Sequence, residues 1–365
     1  MSAPEPPANS PGARPAVVFE NVSIVFGPRP ESALPLMDAG RSRSEVQEAT
    51  GQVLGVHDCT LTVQTGEILV LMGLSGSGKS TLLRAVNGLN PVTRGRVLVD
   101  DGQRMVDVTH AEAATLRRLR LSQIAMVFQQ FALLPWRSVR ENVGLGLELG
   151  GMSRAERRAR VAEQLALVGL SDWADRRVDE LSGGMQQRVG LARAFATRAP
   201  ILLMDEPFSA LDPLIRTHLQ DELLALQRKL RRTIIFVSHD LDEAFRLGDR
   251  IAIMEGGRII QCGTPRDIFT APANDYVADF VAHMNPLGVL TARDVMEPLE
   301  DGGADNTTAC GAVSGETLIG AVMDEVLQTS RPFAVHENGR VIGRITPRTL
   351  LRGLRATPRS GKAPS

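Results

Sequence analysis

Aromatic residues are scarce in this chain: two tryptophans, one tyrosine and eleven phenylalanines make up 4% of its 365 residues. The formal net charge is −1, so the basic excess typical of nucleic-acid binders is missing and no nucleic-acid partner is expected. Cysteine is almost absent. Cys59, Cys262 and Cys310 stand far apart and form no CxxC pair, which excludes a disulfide framework or zinc site and fits a reducing compartment, with the thiols as small buried hydrophobes. No stretch approaches the ~20 apolar residues of a membrane helix, and the N-terminus has no apolar core of a signal peptide, so neither a spanning nor an exported chain is expected. The ends, "MSAPEPPANSPGARP" and "RSGKAPS", lack large apolar residues and read as disordered tails over 1–15 and 356–365. With 43% hydrophobic residues, the remainder can bury one large domain and a smaller appendage.

Three apolar runs carry chemistry at their ends. "EILVLMGLSGSGKSTLLRAVNGL" places a buried strand before a glycine-rich loop and a helix after it. Gly73, Gly78, Lys79 and Ser80 fill GxxxxGK[ST], with Ser75, Gly76, Ser77 and Thr81 completing the loop. In that pattern glycines let backbone N–H groups wrap phosphates, the lysine bridges the β- and γ-phosphates, and the serine hydroxyl binds Mg²⁺. "ILLMDEPFSALD" ends in paired acids: Asp205 is placed to hold Mg²⁺ and Glu206 to orient or deprotonate an attacking water. "TIIFVSHDLDEA" ends at His239, at the strand-end rim where ligands of parallel sheets collect, and this histidine reads as a γ-phosphate sensor. ATP and Mg²⁺ are the implied ligands.

The loop "LSGGMQQR" at 181–188 is too polar for a core. Ser182 is a good N-cap, and the helix that follows would aim free N–H groups and a positive dipole end at an anion. Together these motifs resemble the nucleotide-binding subunits of ABC transporters over residues 16–285, with "LSGGMQQR" resembling that family's signature loop. The resemblance implies a P-loop ATPase fold: a RecA-like α/β core, an antiparallel β subdomain and a helical subdomain at about 130–180. It further implies a head-to-tail dimer in which Ser182, Gly183, Gly184 and Gln186 of one copy close over ATP held by the other. Asp212 in "SALD" resembles the D-loop residue at the seam, and Gln129 in "MVFQQF" resembles the Q-loop glutamine that contacts Mg²⁺ or water, with Gln130 the competing choice. Phe26 in "SIVFG" takes the place of the aromatic that stacks on adenine, with Phe19 in reserve.

An insert at about 28–56, with helical stretches near 32–38 and 43–49, joins "LLPWRSVRENV" and "ANDYVADFVAHMNPL" in resembling the ATPases of quaternary-amine importers, nearest the choline branch. That resemblance implies import of choline, glycine betaine or proline betaine. It also implies a transmembrane permease above the dimer, an extracytoplasmic binding protein as indirect partner, and a peripheral place on the cytoplasmic face of the membrane. Substrate choice would lie outside this chain. Phe131, Leu133, Leu134 and Trp136 cluster beside the Q-loop and read as a groove for a permease helix, the alternative being an internal mini-core. Ser153 and Glu156 spell a capping box, and Val161, Leu165, Leu167 and Val168 the buried face of its helix.

Residues 286–355 resemble a single CBS-type regulatory repeat, with "ENGRVIG" as a hairpin and Thr349 where the family's aspartate would stand. Its charge is segregated: nine acids and one arginine from Asp294 to Glu337, then seven basic residues and no acid to the end. Arg348, Arg352, Arg355 and Arg359 recur at helical spacing, a candidate face for anionic lipid. The rival readings are a non-transport ABC ATPase, which would show tandem cassettes or a coiled-coil insert, a P-loop kinase, which would lack the signature, and an importer of another small solute such as an amino acid.

Overall fold

The computed structural model describes residues 14–282, 284–298, 311–329, 331–337 and 339–354. Cys310, Arg355, Arg359 and the expected tail at 356–365 lie outside them, as does all but Arg14 and Pro15 of the expected tail at 1–15. Pro15 already opens the first strand, Pro15–Phe26, and Arg14 pairs with Asp100 at 2.9 Å, so these two residues of the expected tail are structured.

Two compact units divide the chain: Met1–His239 with Ala252–Ile260, and Asp240–Ile251 with Gln261–Ser365. The first holds an antiparallel sheet in the order Val53–Gln64, Pro15–Phe26, Arg94–Asp100, Met105–Asp107. A six-stranded sheet follows the order Arg258–Gly263, Arg250–Glu255, Ile68–Met72, Thr233–Val237, Ile201–Asp205, Ile124–Val127. Its central strands Ile68–Met72, Thr233–Val237 and Ile201–Asp205 are buried at every residue, as runs without alternation must be when both sheet faces are covered. These strands are parallel, with Leu71 opposite Val237 and Val237 opposite Asp205.

The helical subdomain is built from Val139–Leu149, Arg154–Leu167 and Gly183–Ala196, packed on one another. Val161, Leu165 and Val168 are buried and Leu167 half-buried, as the periodicity required. The box at Ser153 is only half made. Glu156 N–H donates to Ser153 Oγ, while the Glu156 carboxylate takes the serine hydroxyl at 2.6 Å rather than the cap N–H.

The insert folds as a turn at Pro30–Ala33, a short helix Leu34–Asp38 and a helix Arg43–Thr50. Ser42 and Glu45 make a full capping box on the last of these, and Gly51 ends it at φ +69°, a conformation glycine adopts without a Cβ penalty. Ala33, Met37 and Val46 bury against Val25 and Leu54 of the sheet, and Asp38 takes both nitrogens of Arg94 at 2.7 and 2.8 Å. Cys59 is buried and its thiol is pushed up to about 12 by that burial, which fits an inert packing role. Cys262 is half-buried and accepts from Arg250 at 3.1 Å.

In the second unit, a four-stranded sheet runs Glu297–Pro298, Arg340–Ile345, Phe333–Glu337, Gly311–Ser314. The expected hairpin is there, Phe333–Glu337 against Arg340–Ile345. Arg266 binds Asp294 at 2.5 Å, so the segment before residue 286 is tied to the segment after it. Thr349 is consumed locally, exchanging hydrogen bonds with Thr346 at the start of helix Pro347–Leu354. Arg344 pairs with Glu297 at 3.1 Å, so part of the basic stretch answers the acidic one internally. Among the described residues no helix is long and apolar enough to cross a membrane.

Met37 is fully buried in the insert's cluster. Truncating it leaves a cavity, and Met37→Ala is expected to lower unfolding free energy by about 2–5 kcal/mol, read from urea denaturation of the two proteins.

Candidate active site

Register decides where the chemistry collects. Because Leu71, Val237 and Asp205 are level across three parallel strands, the loop 73–80, the pair Asp205–Glu206 and the pair Ser238–His239 all leave the sheet at one rim.

The glycine loop turns through φ +138° at Gly73, +77° at Gly76 and +102° at Gly78. A Cβ on Gly73 would lie 2.1 Å from Met254 O, and one on Gly78 would lie 2.6 Å from Gly55 O, so neither position admits another residue. Lys79 is buried, and its Nζ donates to Gly73 O at 2.8 Å and Leu74 O at 2.9 Å. Burial lowers the lysine's affinity for its proton, and Glu206 and Asp205 work against that. Ser80 Oγ donates to Asp205 Oδ1 at 2.6 Å, which places the two expected metal ligands side by side. Both are hard oxygen donors, the type Mg²⁺ takes. Asp205 is fully buried, and its second oxygen is neutralised by Arg84 at 2.8 Å. Arg84 was not singled out from sequence, although it lies four residues after Ser80 and so on the same helical face.

Glu206 sits at φ +47°, a costly conformation for a non-glycine residue and one that recurs at functional sites. Its N–H donates to Val237 O at 3.1 Å. Its carboxylate accepts from Gln129 Nε2 at 3.2 Å and lies 3.5 Å from His239 Nδ1. Thus Gln129, Glu206 and His239 meet at one oxygen, and Gln129 rather than Gln130 makes the contact.

Phe26 is 39% exposed. A Cβ on Gly55 would meet its ring at 2.9 Å and Thr81 Cγ2 at 3.0 Å, so the ring lies over Gly55 beside the end of the glycine loop. Phe19, the reserve, is buried in the core.

At the signature loop, Ser182 caps helix Gly183–Ala196 by accepting from Met185 N–H at 3.4 Å. Gly183 is exposed and Gly184 half-exposed. Gln186 is turned inward, donating to Val178 O at 3.0 Å and Leu181 O at 3.1 Å, so its amide shapes the loop. The neighbouring Gln187, which was not singled out, is buried and bridges Glu206 O at 3.2 Å and Ala210 N–H at 3.1 Å. Asp212 caps helix Pro213–Leu230 by accepting from Ile215 N–H at 3.0 Å.

Beyond Gln129, Phe131 and Ala132 lie at φ +51° and +46°. Arg193 of the signature helix donates to both carbonyls, at 2.7 and 2.6 Å, and its burial lowers its affinity for the proton. This link also escaped sequence reasoning. Leu133 and Leu134 are half-buried, and Trp136 is 68% exposed, so the cluster is no closed mini-core.

The ABC transporter family profile matches residues 56–209. The chain is 49% identical over 301 residues to the glycine betaine/proline betaine transport system ATP-binding protein ProV of Escherichia coli, covering 82% of this chain and 74% of that one. It is 40% identical to the trimethylamine N-oxide transport system ATP-binding protein TmoW of Pelagibacter ubique, covering 92% and 96%. Among solved structures, a dimeric ATP-binding cassette in a post-hydrolysis state bound to ADP and Pi superposes with a TM-score of 0.59 at 31% identity, covering 68% of this chain and 99% of that one.

Arg84 neutralises a carboxylate with no solvent exposure. Arg84→Ala is therefore expected to destabilise the nucleotide-free protein by about 2 kcal/mol, less than the ~3–5 kcal/mol of a fully buried pair because the guanidinium is partly exposed. Urea denaturation of wild type and variant checks it.

Proposed function

Since the chain belongs to the ABC transporter family, whose members hydrolyse ATP to power transport, we propose that it is the ATPase subunit of an importer for small methylated amines of the glycine betaine class. The observation that carries the chemistry is the meeting of Gln129, Glu206 and His239 at one carboxylate oxygen. On this reading Phe26 stacks on adenine, while Gly73, Ser75, Gly76, Ser77, Gly78, Lys79, Ser80 and Thr81 cradle the phosphates. Ser80, Asp205 and Gln129 hold Mg²⁺, which when bound neutralises charge on the phosphate oxygens. Glu206 accepts a proton from water as that water attacks the γ-phosphorus, whose bond to the β–γ bridging oxygen breaks so that ADP leaves and phosphate is released. Gln129 and His239 hold the carboxylate and the phosphate in line.

The signature loop completes the site from a second copy. Its cap leaves the N–H groups of Gly183 and Gly184 at an exposed helix start, where an anion is favoured, and the dimeric relative described above has the same cassette architecture. Ser182, Gly183, Gly184 and Asp212 then face the partner's nucleotide. Trp136 and its neighbours receive a permease helix, which places the subunit against the cytoplasmic face of the membrane.

Solute class rests on the relatives' names, which carry glycine betaine, proline betaine and trimethylamine N-oxide. Glycine betaine and proline betaine, two of the solutes that the sequence resemblance implies alongside choline, are among those names, so a quaternary or related methylated amine is the proposed cargo. Reconstituted with its permease and binding protein, the complex should show ATPase stimulation by glycine betaine or trimethylamine N-oxide; stimulation by methionine alone would overturn the solute class.

Two further outcomes follow. Glu206→Gln should retain ATP binding, lose turnover by roughly 10²–10⁴ and elute as a dimer with ATP and Mg²⁺ in size exclusion; a monomer at saturating nucleotide would refute the shared site. Trp136→Ala should abolish co-purification with the permease while leaving the melting temperature of the isolated subunit within a degree or two, since exposed interface aromatics contribute to binding far more than to folding.

A further inference from the structure

The insert between Phe26 and Val53 does more than decorate the antiparallel sheet. Arg43, the first residue of its capped helix, reaches the glycine loop. Its Nη1 donates to Gly76 O, and its Nη2 donates to Gly55 O at 2.6 Å. The guanidinium occupies a slot walled by glycines. A Cβ on Gly257 would lie 3.0 Å from Arg43 Nη2, and one on Gly78 would lie 3.6 Å from it. Burial lowers the guanidinium's affinity for its proton, yet arginine stays cationic.

The consequence follows from which atoms of the loop are tied. Gly73 O and Leu74 O are held by Lys79, Gly76 O by Arg43, and Ser77 O by Gly257 N–H at 3.1 Å. In a trans peptide the N–H points opposite to the carbonyl: behind Gly76 O lies Ser77 N–H, which closes the loop's turn onto Leu74 O at 3.1 Å, and behind Ser77 O lies Gly78 N–H, so fixing these carbonyls fixes the shape of the loop. The Lys79 ammonium has three N–H donors, two of them given to Gly73 O and Leu74 O, so it can tie the loop and still offer a donor to a phosphate. Arg43 and Gly257 can keep their hold on Gly76 and Ser77 with nucleotide bound.

We propose that Arg43 is a positioning residue for nucleotide binding: the insert supplies a cation that holds the glycine loop open in its anion-binding shape and adds positive potential behind the phosphates. The inference rests on the loop 73–81 being the nucleotide site.

The test measures ATP binding and steady-state kinetics on the full chain for wild type, Arg43→Ala, Arg43→Lys and Ser42→Ala. Loss of one charged hydrogen bond to the loop predicts a KM for ATP about 10-fold higher in Arg43→Ala, with kcat falling much less. Arg43→Lys keeps the charge but not the fork and should fall between Ala and wild type; it also carries the test should the alanine variant fail to fold. Ser42→Ala weakens the helix cap while leaving the guanidinium, and should shift the melting temperature but not KM. A KM within two-fold of wild type in the folded Arg43 variants, or an equal rise in Ser42→Ala, would overturn the proposal. Failure of wild type itself to bind ATP would instead refute the assignment of the site.

Discussion

The level register of three parallel strands is the constraint on which the site depends. Val237 stands opposite both Leu71 and Asp205, and strand spacing is set by backbone hydrogen bonding at ~4.8 Å. A one-residue slip of any strand would move its terminal residue by ~3.3 Å and turn its side chain to the other face. The bond of Ser80 Oγ to Asp205 at 2.6 Å, from residues 125 apart in sequence, tolerates neither change. Burial of all fifteen residues in the three strands is what makes slipping expensive, so the core acts as the jig for the chemistry.

The rim so formed has an electrostatic problem, which the flanking elements solve. It gathers Asp205, Glu206 and Lys79 where solvent is sparse, and a buried charge is tolerated only when paired and hydrogen-bonded. Asp205 is answered by Arg84 and Ser80, Glu206 by Gln129, and Lys79 by two carbonyls of its own loop. Ser80, Gln129 and Lys79 are residues that the proposed reaction would place on phosphate, water or Mg²⁺, whereas Arg84 is not. The charges of Asp205, Glu206 and Lys79 are therefore each paired within the chain itself.

What could be read from sequence alone was whatever chain connectivity spaces. The glycine loop, the acid pair and His239 each sit within a few residues of a strand end, so periodicity locates them. Both insert helices and the hairpin at 333–345 were legible for the same reason: caps and turns are local. Arg84, Gln187, Arg193 and Arg43 were not singled out, because their partners lie 121, 19, 62 and 33 residues away. Arg84 alone had a usable local signal, its helical spacing from Ser80. The conformation of Glu206 at φ +47° was also invisible, since strand propensity argues against it and only the packed rim imposes it. The tail's hairpin and helix were legible, whereas the Arg266–Asp294 pair that joins it to the segment before residue 286 depends on the fold.

The two arginines Arg193 and Arg43 point to how such a site communicates. Arg193 grips the backbone of Phe131 and Ala132, both in the left-handed region, a conformation that costs of order 1 kcal/mol or more per residue and persists only when something holds it. The grip comes from the helix that begins with the signature loop. Gln187, on that same helix, holds Glu206 O and Ala210 N–H. A displacement of this helix would therefore act on the backbone at Phe131 and Ala132 and on the backbone of Glu206 together, and would carry the exposed Trp136 with it. On the proposed reading, the partner's phosphate pulls at one end of the helix and the permease feels the other, with rigid hydrogen-bonded contacts rather than flexible loops in between.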